Sequence, residues 1–314
     1  MPIDLPKDKW VGKIREVKIG ATAAEGGTRS RSIIVGGDMT MPFLQYEAST
    51  PHTPIVAIEI KSHAPEDWSP LLLETWGDVL NDPPAWAKAA ENAGADAIVL
   101  WLTLADTPES AVQIIKSVLA ASGLPLIVLG PGQAEKDNDL LVAVSEATRG
   151  ERLVLGICED KNYRTIVATA MANDHLVLAR TAMDVNLAKQ LNILITDMGL
   201  PPERLIVDPT TGALGYGIEY GYSSMERFHM AGLQGDGMTQ FPLLVTIGAE
   251  TWKTKESKVG SGVPDGWGAW ENRAVLWETM TATALLEAGA SILVLRHPES
   301  VRRMHLAISE LMTV

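Results

Sequence analysis

Eight apolar runs, each closed by a polar or glycine-containing loop and followed by a segment with helical apolar spacing, constrain this chain more than any other feature. They end near Ile60, Leu102, Leu129, Cys158, Arg180, Asp208, Ile247 and Arg296. Parallel strands read as continuous Val/Ile/Leu runs because helices cover both faces of their sheet. Eight strand–helix units predict an α/β fold of the (β/α)8 TIM-barrel kind, which takes roughly 250 residues. The 314 residues leave room for an addition. Ile14 to Ile19 and Ser32 to Gly36 predict two short strands joined by a turn at Gly26-Gly27. A hairpin there would plug the bottom of the barrel. The expected organisation is an N-terminal β-hairpin extension over residues 1–50 and one barrel over residues 51–314.

The formal net charge of -13 argues against nucleic acid and against an anionic membrane surface as partners, since an acidic surface repels phosphate. No stretch of about 18 apolar residues is present, so no spanning helix is expected. The start, Met1-Pro2-Ile3-Asp4, lacks the basic and apolar regions of a signal peptide. Cys158 is the single cysteine, which rules out an intrachain disulfide. An iron–sulfur cluster normally takes about four thiolates, so none is expected within this chain. These features read as a cytoplasmic protein.

In barrels of this kind the functional groups lie at the C-terminal strand ends. Those positions read Glu59-Ile60-Lys61, Leu102 to Asp106, Gly130-Pro131-Gly132, Cys158-Glu159-Asp160, Arg180 to Asn186, Asp208 onward, Gly248 to Trp252, and Arg296-His297-Pro298. The sharpest signal is Asp208-Pro209-Thr210-Thr211-Gly212-Ala213-Leu214-Gly215-Tyr216-Gly217. Asp-Pro ends the strand, the threonines are placed to donate hydroxyls, and the glycines let a ligand approach the backbone. A helix beginning near Gly217 offers free N–H groups to oxygen acceptors. The spacing is neither a P-loop nor a dinucleotide fingerprint. A glycine-rich turn that only shapes the barrel top fits the same residues.

Glu59 and Asp208 suit a carboxylate pair for acid–base work, and equally suit ion pairs with Arg296 and Arg180. Cys158 is a nucleophile or soft ligand on one reading and a small buried thiol on the other. The six histidines form no chelating pair, so no zinc site is indicated. No nucleophile–base–orienter set is legible, and no catalytic or metal-binding residue is assigned. Two long loops, over 61–82 and 250–270, carry Trp68 and Trp76, and Trp252 and Trp267. Their indoles either cover the barrel mouth or form a protein contact.

The Asp208–Tyr220 stretch with Gly221-Tyr222-Ser223-Ser224-Met225-Glu226-Arg227, together with Gly36-Gly37-Asp38-Met39-Thr40-Met41-Pro42-Phe43-Leu44-Gln45-Tyr46-Glu47, resembles the small (delta) subunit of the corrinoid/iron–sulfur protein of the carbon monoxide dehydrogenase/acetyl-CoA synthase pathway. The resemblance covers essentially the whole chain. It implies a barrel subunit, non-catalytic alone, in a heterodimer with a large subunit that carries the iron–sulfur cluster and a corrinoid. The pair would accept a methyl group from a methyltetrahydrofolate-dependent methyltransferase and deliver it to acetyl-CoA synthase, both transient partners.

The resemblance further implies that the corrinoid is shared with this barrel's mouth. Thr210, Thr211, Gly212, Ala213, Leu214, Gly215 and Tyr216, with Asp208 and Arg180, are then the candidate cofactor-binding residues. The tryptophan loops become candidates for the heterodimer contact. The Asp-x-His-x-x-Gly motif that supplies a cobalt ligand in many corrinoid proteins is absent. The rival reading is an autonomous pterin-binding barrel methyltransferase in which Asp184, Asn186 and Asp208 hold the ring.

Overall fold

A computed structural model describes residues 5–313; the Met1-Pro2-Ile3-Asp4 start lies outside that range. Two short antiparallel strands, β1 (Val17–Ile19) and β2 (Ile33–Val35), come first. β3 (Ile55–Lys61) then leads through α1 (Pro70–Trp76) and α2 (Pro83–Asn92) to β4 (Ala97–Trp101). After α3 (Pro108–Ala121), β5 (Leu126–Leu129), α4 (Ala134–Ala147) and β6 (Val154–Cys158) come α5 (Tyr163–Asn173), β7 (Leu176–Arg180) and α6 (Val185–Asp197). The chain closes with β8 (Leu205–Asp208), α7 (Ile218–Leu233), β9 (Leu243–Val245), α8 (Ile247–Thr251), α9 (Lys255–Lys258), α10 (Trp270–Glu287), β10 (Ala290–Leu295) and α11 (Pro298–Met312). Strands β3 to β10 form a closed barrel in sequence order, with β10 against β3. Every pairing in it is parallel. The fold is the (β/α)8 barrel that the eight runs predict.

Side chains alternate across each strand with a period of two, and the alternation sorts the core. Val56, Ile58 and Ile60 of β3 pack outward with the helices. Ile55 and Ala57 pack inward with Val99, Leu129, Leu178, Ile206, Leu244 and Val294. Val17, Ile19 and Val35 join that inward set, so the hairpin does plug the bottom. Arg29 fixes the plug: it is 3% exposed and donates to the carbonyls of Leu119, Ser122 and Leu124 and to the Glu151 carboxylate.

Three local expectations change. The seventh apolar run is divided: β9 stops at Val245 and Ile247 already belongs to α8, because the Thr246 N–H turns aside to the Thr211 hydroxyl at 3.0 Å. The long loops are not bare, for they contain α1, α8 and α9 with short 3-10 turns. Their indoles serve those elements. Trp68 and Trp76 pack on Trp86 at 5.4 and 6.0 Å between ring centres. Trp252 is 2% exposed and stacks on His297 at 5.9 Å. A buried indole has no surface to offer, so Trp252 is corrected from a docking residue to a packing one; Trp267 stays half-buried at the rim.

Candidate functional site at the barrel mouth

The inward parity that begins at Ile55 and Ala57 continues to the strand ends and delivers Glu59, Lys61, Trp101, Arg180, Asp208 and Arg296 to one place, the C-terminal mouth. They engage one another. Arg296 grips Glu59 with two bonds, Nε to Oε2 at 2.9 Å and Nη2 to Oε1 at 2.7 Å. Arg180 holds Asp208 through Nε at 2.8 Å. Between the pairs stands the Trp101 indole, with the Lys61 ammonium 5.4 Å and the Arg180 guanidinium 5.7 Å from its ring centre. Its N–H donates to the Gly130 carbonyl at 2.7 Å. Glu59 and Asp208 are fully buried, and each has its own guanidinium. They are therefore two separate ion pairs, not one carboxylate dyad.

The Asp208–Tyr216 segment divides into a buried half and an exposed edge. Asp208 Oδ1 accepts the Thr210 N–H at 2.9 Å, while the Thr210 hydroxyl donates to the Thr181 carbonyl. Thr210 adopts a left-handed φ of 67°, a conformation uncommon for a residue with a β-carbon. The Thr211 hydroxyl accepts from Thr246, as above. At Gly212 a β-carbon would lie 2.5 Å from the Gly217 carbonyl oxygen, so this glycine is required by the chain's own close approach rather than by a ligand. Ala213 is buried, and the Leu214 N–H reaches toward the Thr281 hydroxyl at 3.4 Å. Gly215 and Tyr216 face outward, Tyr216 with 54% exposure.

Beside the filled mouth lies an off-axis cleft of about 400 Å³. Leu187, Leu191 and Leu194 of α6 form one wall, and Glu159, Arg180 and Thr181 face it, with Thr210 at the edge. The Thr181 hydroxyl is shut off from solvent and has no partner among the described residues. Arg180 Nη2 lies 2.7 Å from Asp208 Oδ2, but off the N–H direction needed for a hydrogen bond. Nearby, burial raises the Asp137 carboxyl to about 6 even though it accepts the Gly132 N–H at 3.0 Å.

The remaining candidates have structural partners. Asp184 caps α6 by accepting from Asn186 N and Leu187 N at 2.7 and 3.0 Å. With Asn186 it lines a different cleft, beside Tyr220 and Arg227, that does not include Asp208. The sequence-based ring-binding set of Asp184, Asn186 and Asp208 is thus split. Burial lowers His297 to about 4, and its Nδ1 accepts the Glu299 N–H at the start of α11. Burial raises the Cys158 thiol, the behaviour of an inert core residue. Trp101 is absent from the sequence-based candidates because the second run reads as ending one residue later, at Leu102, whose parity is outward.

Residues 16–308 match the family described as CO dehydrogenase/acetyl-CoA synthase delta subunit. Similar proteins include the acetyl-CoA decarbonylase/synthase complex subunit delta of Archaeoglobus fulgidus, 36% identical over 94% of this chain and 68% of that protein. The subunit of the same name from Methanopyrus kandleri is 35% identical over 93% of this chain and 73% of that protein. Among solved structures, the dihydropteroate synthase of Thermus thermophilus superposes with a TM-score of 0.56 at 14% identity, covering 94% of this chain and 99% of that one. The dihydropteroate synthase of Stenotrophomonas maltophilia gives 0.57 at 12% identity, covering 89% and 96%. At such identities the likeness is one of fold.

Proposed function

We propose, from the premise that this chain belongs to the CO dehydrogenase/acetyl-CoA synthase delta-subunit family, that it is the small barrel subunit of a corrinoid methyl carrier. In this reading it pairs with a large subunit that carries the iron–sulfur cluster and the corrinoid. The heterodimer receives a methyl group from a methyltetrahydrofolate-dependent methyltransferase and passes it to acetyl-CoA synthase. The observation that carries the reading is the filled mouth: Trp101, flanked by Lys61 and Arg180, occupies the place where barrels ordinarily take a ligand. What remains available is the rim, which suits a subunit that presents a surface to a cofactor held largely elsewhere.

The rim groups fit the periphery of a corrinoid rather than its metal. Polar residues beside an apolar wall of leucines match amide-bearing aliphatic arms. The corrinoid, when bound, supplies a cobalt able to carry the methyl group. On this chain the sequence-derived set of Thr210, Thr211, Gly212, Ala213, Leu214, Gly215 and Tyr216, with Asp208 and Arg180, takes two roles. Asp208, Thr211 and Gly212 hold the segment in shape, and the Leu214–Tyr216 edge with Arg180 meets the cofactor.

Expression of the chain alone and with the large partner tests this, with visible spectrum and mass recorded for each species. Corrinoid absorbance confined to a one-to-one pair is the expected result. A stable lone chain that binds methyltetrahydrofolate and ignores the partner would replace the reading with that of a pterin-binding methyltransferase. The separation of Asp184 and Asn186 from the ion-paired Asp208 speaks against that rival.

A further inference from the structure

A carboxylate held away from water needs a partner of opposite charge, and one at the bottom of the barrel has none of its own. Residues 36–53 form a strap between β2 and β3 that closes a cavity of about 30 Å³, room for a water. Asp38, Thr50 and His52 line it from the strap, His229 from α7 and Ser291 from β10. Among the described residues the Asp38 carboxylate bonds only to its own N–H. The Lys13 ammonium is taken up by Glu16 at 2.5 Å, and His52 lies 3.4 Å from the same Glu16 carboxylate. Leu286 of α10 and Met312 of α11 close the cavity without adding charge.

The imidazole on the other side has a fixed tautomer. His229 is 3% exposed, and its Nε2 lies 3.3 Å from the Thr40 carbonyl. A carbonyl only accepts, so Nε2 carries the proton and Nδ1 keeps a free lone pair. An acceptor nitrogen and a carboxyl group lining one small cavity are compatible only while the carboxyl is protonated. We propose that the strap is a proton-operated latch, closed while the Asp38 carboxyl donates through a water in the cavity to His229 Nδ1, and loosened when that proton leaves to solvent. Burial raises the Asp38 carboxyl and lowers His229, directions that favour the neutral pair. The folded chain thus holds the Asp38 proton more tightly than the unfolded chain. Its contribution is full below the ordinary value of 3.8 and is lost as pH rises through the raised one. The latch lies at the end of the barrel away from the mouth and does not depend on what the mouth binds.

The test follows deuterium uptake of the strap in the full chain, comparing wild type with the isosteric Asp38→Asn at matched pH. The strap is reported by the Gly37 and Met39 amides, which donate to the Ile14 and Ser49 carbonyls at 3.0 and 3.1 Å. At about pH 8 the variant should exchange about tenfold more slowly than wild type, the worth of one unit of raised pKa. At about pH 5 the two should exchange alike, because the wild-type carboxyl is then protonated. A ratio of the two rates that is the same at both pH values overturns the latch. Should the variant not fold, the carboxyl-carbon titration of Asp38 in wild type decides: a midpoint above the ordinary 3.8 supports the latch, and an ordinary midpoint overturns it.

Discussion

The two ends of this barrel are both closed by the chain's own side chains, but with different materials. At the bottom, Val17, Ile19 and Val35 continue the apolar interior and remove it from water. At the top, Glu59 with Arg296 and Asp208 with Arg180 fill the mouth with paired charge around Trp101. An apolar seal gains stability in proportion to the area it hides. A seal of buried ion pairs gains little, because desolvation offsets most of the attraction, yet it fixes direction at every bond. The bottom is thus built for stability and the top for placing groups at the rim.

The largest effect should come from leaving a charge alone at the top. Glu59→Ala strands Arg296 in the interior and should cost about 4 kcal/mol in urea unfolding, within the range for a broken buried pair. Replacing both partners, Glu59→Leu with Arg296→Met, should restore most of that loss, because an apolar substitute for a buried pair is often neutral. A double variant as unstable as the single one would show that the mouth is held by something other than charge balance.

A smaller loss is expected below. Ile19→Ala should cost about 3 kcal/mol from lost burial and the cavity it leaves, with corrinoid retention by the folded heterodimer unchanged. Loss of corrinoid from a folded Ile19→Ala protein would break the division between the two ends.

The smallest effect is a pH dependence seated at the bottom. His175 is fully buried and held neutral: Nδ1 accepts the Leu153 N–H at 3.2 Å and Nε2 faces the Ser145 carbonyl at 3.0 Å. Burial lowers it to about 4. The unfolded chain takes up this proton near pH 6.5 and the folded chain does not until about pH 4, so stability is full above pH 6.5 and falls between the two values. The loss amounts to about 2 kcal/mol by pH 5. His175→Gln should flatten that acid limb, measured as the denaturation midpoint against pH.

Much of this is readable in the residues. The ends of the apolar runs fall within two residues of the strand ends, because a buried parallel strand needs unbroken apolar side chains and its loop does not. The hairpin is legible for the same reason, with Gly26 supplying the left-handed turn at φ 90°. The candidate site is legible in part. Asp208 and Arg180 stand out by their position at strand ends, and strand parity applied one residue more carefully finds Trp101. Asp184 reads as a ligand-binding group because a carboxylate at a strand end and a helix cap look alike until the N–H groups it accepts from are located. Trp252 reads as a docking residue because a loop too long for a simple connection conceals its own helices and its own small core.

The sequence by itself determined the barrel, its hairpin plug and the family, since each depends on local periodicity or on a contiguous motif. Which charges pair, which hydroxyl is left without a partner and which indoles reach the surface were decided only by the tertiary structure. Glu59 and Arg296 are separated by most of the chain and meet only when β10 closes on β3. Thr210, brought across from the next strand end, donates to the Thr181 carbonyl, while the Thr181 hydroxyl has no partner among the described residues.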